Sequence, residues 1–291
     1  MTDPSSDGPI RYERQGPIAV VMIDHPPVNV LGREVLDALV RRLDEAEADP
    51  EVRAVVLASA SDRAFAAGAN IREMAPMGPT EAHDHGERGQ GTTRRIERLP
   101  LPVIAAVNGV CLGGGCEIAL ACDFIIASDD ASFGQPEINL GVMPGWGGTR
   151  RLPRRIGLAA ARRWIMTGRS VSAKEAHALG LVDQVVPRAD LLSTALALAG
   201  ELAEKPPVAL AAAKFALLRS IDPGIEEGLA YELDLWAHLF GTPDQKAGMQ
   251  AFLAKQPFRT GARLDWATIS KGFPWSEGAS QRPGAGGKRK N

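Results

Sequence analysis

Glu117 closes the run Gly113-Gly114-Gly115-Cys116-Glu117. Three glycines opening a helix let a ligand approach the backbone closely and leave N–H groups with no partner inside the helix. The helix dipole adds partial positive charge at that end. Such an end suits a carbonyl oxygen that becomes enolate-like during a reaction. Glu117 lies in the first helical turn beside it; taken alone, it reads more simply as an acid complementing the dipole. A second carboxylate, Glu137, follows Pro136 in SFGQPEINLGVMPGWGG. Apolar and small neighbours raise the pKa of a carboxyl, as a proton donor needs. Taken alone, Glu137 is equally a loop acid or a helix-start acid after proline. A third segment, Ala64-Phe65-Ala66-Ala67-Gly68-Ala69-Asn70-Ile71-Arg72, follows the run VRAVVLAS. Its small residues allow close backbone approach and would supply a second N–H, although a plain strand-to-helix connection has the same composition.

Other chemistries lack their signatures. There is no GxSxG elbow, no GxxxxGK[ST] loop and no complete GxGxxG; GWGGTR at 145–150 lacks the third glycine. His83-x-His85 falls in the polar, Gly-rich stretch 75–95, which reads as a solvated loop rather than a metal site. Cys111, Cys116 and Cys122 are an odd set in a Gly- and Ala-rich stretch, with no histidine nearby. They read as small buried apolar residues in a reducing compartment, not as a disulfide framework or a zinc site.

The elements that must position these residues alternate in type. IAVVMI (18–23) is β-branched and reads as a strand. Residues 33–48 carry Val35, Leu36, Leu39, Val40 and Leu43 on one helical stripe. VRAVVLAS is the next strand, so strand, helix and strand fill the first 60 residues, which implies a parallel crossover in an α/β fold. PVIAAV (102–107) and FIIAS (124–128) are further buried strands, with an apolar helix between them at 114–121. After residue 145 only VDQVV (182–186) reads as a strand, and helices are expected at 158–167, 172–179, 190–204, 207–219, 225–240 and 243–254.

The whole chain sets the class. Its 291 residues are 45% hydrophobic and 23% charged, enough for a sizeable core. With 33 basic and 35 acidic residues the net charge is −2, which points to neither nucleic acid nor a membrane surface. MTDPSSDGPIRYERQG has no apolar centre and carries acids early, unlike a signal or transit peptide. No uncharged apolar run approaches the roughly 20 residues of a membrane span. A cytoplasmic protein is expected.

In order along residues 17–258, the segments HPPVNVL, DRAFAAGANIREM, PVIAAVNGVCLGGGCEIALACDFIIAS, FGQPEINLGVMPGWGGTRRLPRRIG and IMTGRSVSAKEAHALGLVDQVVP resemble the enoyl-CoA hydratase/isomerase, or crotonase, superfamily. The resemblance implies an α/β fold: a spiral of ββα units followed by a helical C-terminal trimerisation region, assembled as a trimer or a dimer of trimers. On that basis residues 1–16 are an N-terminal extension, 17–200 the catalytic core, 201–259 the helical region, and 260–291 a tail without a family counterpart, disordered at its end. The family's two oxyanion N–H groups fall on Ala69 and Gly114, and its two catalytic glutamates on Glu117 and Glu137. Its CoA-binding loop falls on Ala67, Ala69, Asn70, Ile71 and Arg72, where Asn70 replaces an aspartate common in hydratases. Phe252 and Lys255 align with C-terminal positions that reach CoA, sometimes on a neighbouring subunit. Trp146 either shapes the acyl pocket or simply packs in the core.

The resemblance implies a hydratase acting on an acyl-CoA thioester, with no separate cofactor and no metal. Two carboxylates suit water addition, in which one group deprotonates water and the other protonates carbon. A Δ3-Δ2-enoyl-CoA isomerase needs chiefly the Glu137-type group. Another crotonase-type lyase or hydrolase, and a noncatalytic acyl-CoA-binding protein, are the remaining alternatives, because fold alone does not settle chemistry.

Overall fold

The computed structural model describes residues 8–220, 224–260 and 264–276. Its first half repeats one unit: a strand for a large sheet, a short strand for a second layer, then a helix. β1 (Ile10–Gln15) and β2 (Ile18–Ile23) start the large sheet, followed by β3 (Val30–Leu31) and α1 (Arg33–Ala48). The next turn is β4 (Ala54–Ser59), β5 (Ala64–Ala66), β6 (Gly68–Ala69), the single-turn α2 (Ile71–Met74) and α3 (Pro79–Glu97). Then come β7 (Val103–Val107), β8 (Val110–Leu112) and α4 (Gly114–Ala121), and after them β9 (Phe124–Ser128), β10 (Ser132–Gly134), a 3-10 turn at Pro136–Leu140 and α5 (Gly148–Ile156). α6 (Leu158–Thr167), β11 (Ser170–Ser172), α7 (Ala173–Ala178) and β12 (Gln184–Val186) complete the spiral. α8 (Leu191–Ala203), α9 (Pro207–Arg219), α10 (Ile225–Leu239), α11 (Pro243–Leu253) and α12 (Trp266–Ile269) make up the rest.

The large sheet has the order β1-β2-β4-β7-β9-β12, parallel except for the β1–β2 pair. The second sheet runs β11-β10-β8-β5, and β3 pairs with β6 alone. The large sheet is buried on both faces, which explains its near-continuous apolar strands. Val55 and Leu57 point into the main core, while Ala54, Val56 and Ala58 face Leu191, Ala195 and Ala199 of α8. Those three recur every fourth residue and form the stripe with which α8 covers the sheet.

Several expectations are corrected. The stretch 75–95 is not a loop; most of it is α3, capped by Gly78 with Pro79 in its first turn. Its inward face is Gly89, Thr92, Thr93 and Ile96, a helical stripe written in small residues instead of apolar ones. Arg88 to Asp37 (2.6 Å) and Arg95 to Asp44 (2.7 Å) bind it to α1. The sheet begins at Ile10, before the expected core boundary at residue 17, because Ile10–Gln15 is an antiparallel edge strand. β11 adds a short strand that sequence reading missed. At the other end, Leu264 and Trp266 are buried, and Trp275 stacks between Phe215 (5.2 Å) and Phe273 (4.1 Å). The start of the tail therefore straps back onto the core; the expected disorder at its end concerns 277–291, outside the described residues. No helix among the described residues is long and apolar enough to cross a membrane.

Candidate active site

Three successive turns of the spiral deliver their groups to one place, at the carboxyl ends of β6, β8 and β10. Ligands in open α/β sheets are bound at such strand ends. Ala69 closes β6, held in register opposite Leu31. Gly113 and Gly114 follow β8, and Glu137 follows β10 on the 3-10 turn. The β6 and β8 ends touch: a Cβ on Gly68 would lie 3.2 Å from the Leu112 carbonyl oxygen and 3.9 Å from Gly113 Cα.

Each glycine of the triple run has its own reason. Gly113 adopts φ +52°, and a Cβ there would stand 3.1 Å from Glu137 Oε1. A Cβ on Gly114 would come within 2.3 Å of the Trp146 ring, and one on Gly115 within 2.3 Å of the Ala66 carbonyl oxygen. Gly114 is the first residue of α4, so its N–H has no intrahelical acceptor.

The two carboxylates have different surroundings. Glu117 is only 2% exposed, yet its Oε1 accepts hydrogen bonds from the N–H of Trp146 (2.8 Å) and of Gly148 (2.7 Å). Burial raises its pKa; the amides of Gly148, Trp146 and Gly147 and the charge of Arg151 oppose that rise. Glu137 has only its own backbone N–H to oppose burial. Its Oε2 is buried without a hydrogen-bond partner among the described residues. Burial, with the Glu117 charge adding to it, pushes its carboxyl up to about 7.

The loop at 67–72 is fixed by backbone bonds from Ala67 N to Val28 O (3.0 Å) and from Asn70 N to Leu31 O (3.2 Å). Asn70 caps α2: its Oδ1 accepts from Arg72 N (3.2 Å), and its Nδ2 donates to Glu73 Oε1 (2.8 Å). Ile71 and Arg72 are exposed on the outer side of this turn. Trp146 is buried against Gly114 and against Gly89 of α3, with the His85 ring tilted on it at 5.6 Å. Thus His83-x-His85 is helical and divided. His85 turns toward Trp146, while His83 shares the exposed face with Asp84 and Glu87, acids that the helix brings alongside it.

The chain folds so that Glu117, Glu137, Ala69, Gly114, Trp146 and the 67–72 loop converge. Phe252 and Lys255 stand apart. Phe252 is 83% exposed on α11, and Lys255 is exposed just beyond it. Among the described residues no hydrogen bond, ion pair or ring contact links either to the rest of the site. Sequence reading missed the holders of Glu117, namely the Trp146, Gly147 and Gly148 amides, because backbone donors have no residue signature. It also passed over Gln135, which is fully buried, with its Oε1 unpartnered among the described residues and 2.8 Å from where a Gly148 Cβ would stand.

The profile of the enoyl-CoA hydratase/isomerase family matches residues 13–262. This chain belongs to that family. Among relatives in the hydratase/isomerase family, the short-chain-enoyl-CoA hydratase of Clostridium acetobutylicum is 43% identical over 245 residues, covering 84% of this chain and 94% of its own length. The crotonyl-CoA hydratase of Syntrophomonas wolfei is 39% identical over 248 residues, covering 85% and 95%. A crystal structure of an enoyl-CoA hydratase from Bacillus anthracis superposes with a TM-score of 0.82 at 36% identity, covering 87% of this chain and all of that one. The fold is the crotonase α/β spiral with C-terminal helices.

Proposed function

We propose that this protein is an enoyl-CoA hydratase that adds water across the 2,3 double bond of a 2-enoyl-CoA. One observation carries the reading: two carboxylates reach the same place, one held by the amides of a turn and one with a buried Oε2 that no group among the described residues meets. The first is suited to hold a charge, the second to hold a proton near neutral pH. Ionised Glu117 takes a proton from water as the hydroxyl bonds to Cβ. Protonated Glu137 gives its proton to Cα, and the product is a 3-hydroxyacyl-CoA. Proton exchange with solvent restores both groups. The N–H groups of Ala69 and Gly114 hold the thioester oxygen while it carries enolate charge. The names of the Clostridium and Syntrophomonas relatives support both the activity and a short acyl chain.

CoA is assigned to the 67–72 loop, with Arg72 offering charge to the nucleotide. Phe252 and Lys255 would meet CoA across a subunit boundary in a trimer or dimer of trimers. That assembly is supported by the exposed apolar side chains Leu233, Trp236, Phe252 and Leu253 on α10 and α11.

The test is loss of the conjugated enoyl absorbance across a chain-length panel headed by crotonyl-CoA. Wild type should hydrate the short members. Glu117→Gln and Glu137→Gln should each lose about 10²–10⁴-fold, the usual contribution of a general acid or base. Hydration by Glu117→Gln at the wild-type rate would sink the two-carboxylate mechanism. Binding of acyl-CoA by wild type without any turnover would leave a binding protein.

A further inference from the structure

Glu117 is held by a turn, and the turn is itself held. Residues 145–148 link the 3-10 segment to α5, and Gly147 adopts φ +114° there. Successive N–H groups in such a turn converge into a concave anion site. Here the anion is the Glu117 carboxylate, bonded by the Trp146 and Gly148 amides and drawn toward its charged form by the Gly147 amide as well.

The opposite side of the turn is occupied by Arg151. Its Nη1 donates to the Trp146 carbonyl oxygen at 2.8 Å, and Thr93 Oγ1 donates to the same oxygen at 2.9 Å. In a trans peptide the C=O and the following N–H point in opposite directions. Drawing the Trp146 carbonyl toward Arg151 therefore turns the Gly147 N–H the other way, to the carboxylate side. The guanidinium fills the space below Gly147, where a Cβ would meet Nη1 at 2.0 Å. Arg151 is fixed in turn by a two-pronged pair with Glu97 at the end of α3, Nε to Oε1 at 2.7 Å and Nη2 to Oε2 at 2.6 Å. The pair is largely buried, with side-chain exposures of 11% and 20%. Bidentate geometry fixes orientation as well as distance, which a lysine would not reproduce.

We propose that Arg151, oriented by Glu97, is a positioning residue that sets the amide turn around Glu117 and so keeps that carboxylate aimed and ionised for water activation. The inference rests on Glu117 acting as the base. Arg151 touches no part of the substrate in this scheme, so its loss should appear in kcat and in the pH profile rather than in KM.

The experiment measures crotonyl-CoA hydration against pH for wild type, Arg151→Met, Arg151→Lys and Glu97→Gln, with Glu117→Gln alongside and saturated acyl-CoA binding as a control. Arg151→Met should lower kcat about 10²-fold, the scale of a misplaced catalytic group. KM should stay within about twofold. Losing a cation that favours ionised Glu117 should move the acid limb of the profile to higher pH. Arg151→Lys should restore the limb but not the full kcat, because the charge returns without the fork. Glu97→Gln keeps its shape and leaves the cation but loosens the fork, so it should lower kcat in smaller degree without moving the limb to higher pH; its kcat decides the matter if Arg151→Met does not fold. An unshifted acid limb in folded Arg151→Met, an unchanged kcat in Glu97→Gln, or equal loss of turnover and acyl-CoA binding, overturns the proposal. If Glu117→Gln collapses while the Arg151 and Glu97 variants keep the wild-type profile, only this inference fails. If Glu117→Gln retains activity, the assignment of the base fails first.

Discussion

Glu117 and Glu137 have the same side chain but different depth and unequal support: Glu117 is buried and Glu137 half-buried. Both lose solvent, which favours the neutral acid in each case. Around Glu117 the chain returns donors: two amides at 2.8 and 2.7 Å, with Arg151 behind them. Around Glu137 only its own backbone N–H acts, and among the described residues nothing reaches Oε2. Burial alone would make two acids. The amides of the 145–148 turn oppose the rise in pKa at Glu117 alone, a difference that suits the proposed base and acid.

That contrast can be broken most severely by shortening each side chain in place. Glu117→Asp withdraws the carboxylate from both fixed amides and should cost about 10²-fold in hydration kcat. Glu137→Asp gives up only the contact with its own backbone N–H and should cost about tenfold less. Steady-state kinetics on crotonyl-CoA reads both values, and equal losses would mean that the amide turn confers no special role.

The pH dependence sharpens the same contrast. If Glu137 must be protonated, hydration kcat/KM should fall as pH rises through about 7. Stability should follow the same group. Its folded pKa lies above the ordinary carboxylate value, so its contribution to stability is complete at low pH and is lost as pH rises through about 7. Glu137→Gln cannot ionise; it should melt above wild type at pH 8 and show no such gain at pH 5 in a calorimetric scan. A gain of equal size at both pH values would assign the effect to packing instead.

The smallest effect is expected outside both pockets. Arg72 is exposed beyond the α2 turn, and a remote CoA contact stabilises ground and transition states alike. Arg72→Ala should raise KM a few-fold with kcat nearly unchanged; a pure kcat defect would show that Arg72 is misplaced in this account.

What could be read in the chain depended on whether side chains or backbone did the work. The strands β2, β4, β7 and β9 were legible as apolar runs, and most helices emerge within a residue or two of their expected ends. α3 was hidden because Trp146 occupies the space that larger side chains on its inner face would need; a Cβ at Gly89 would already meet the ring at 2.2 Å. β1 was hidden because an edge strand with mostly exposed positions reads as the polar Arg-Tyr-Glu-Arg. At the site, the triple glycine stood out by type, but each glutamate alone read as an ordinary helix or loop acid, and only the family resemblance paired them. The turn that holds Glu117 did not stand out, since its donors are peptide N–H groups and its anchor, Arg151, looks like any helix arginine.

The spiral also has a modular consequence. In the proposed scheme the carbonyl grip belongs to the ends of β6 and β8, and the proton donor to the separate rung that follows β10. On that scheme a change confined to residues 135–143 would alter the proton donor and leave the β6 and β8 ends in place. The coil then places the proposed grip and the proposed proton donor on different turns, so each can be altered while the other keeps its frame.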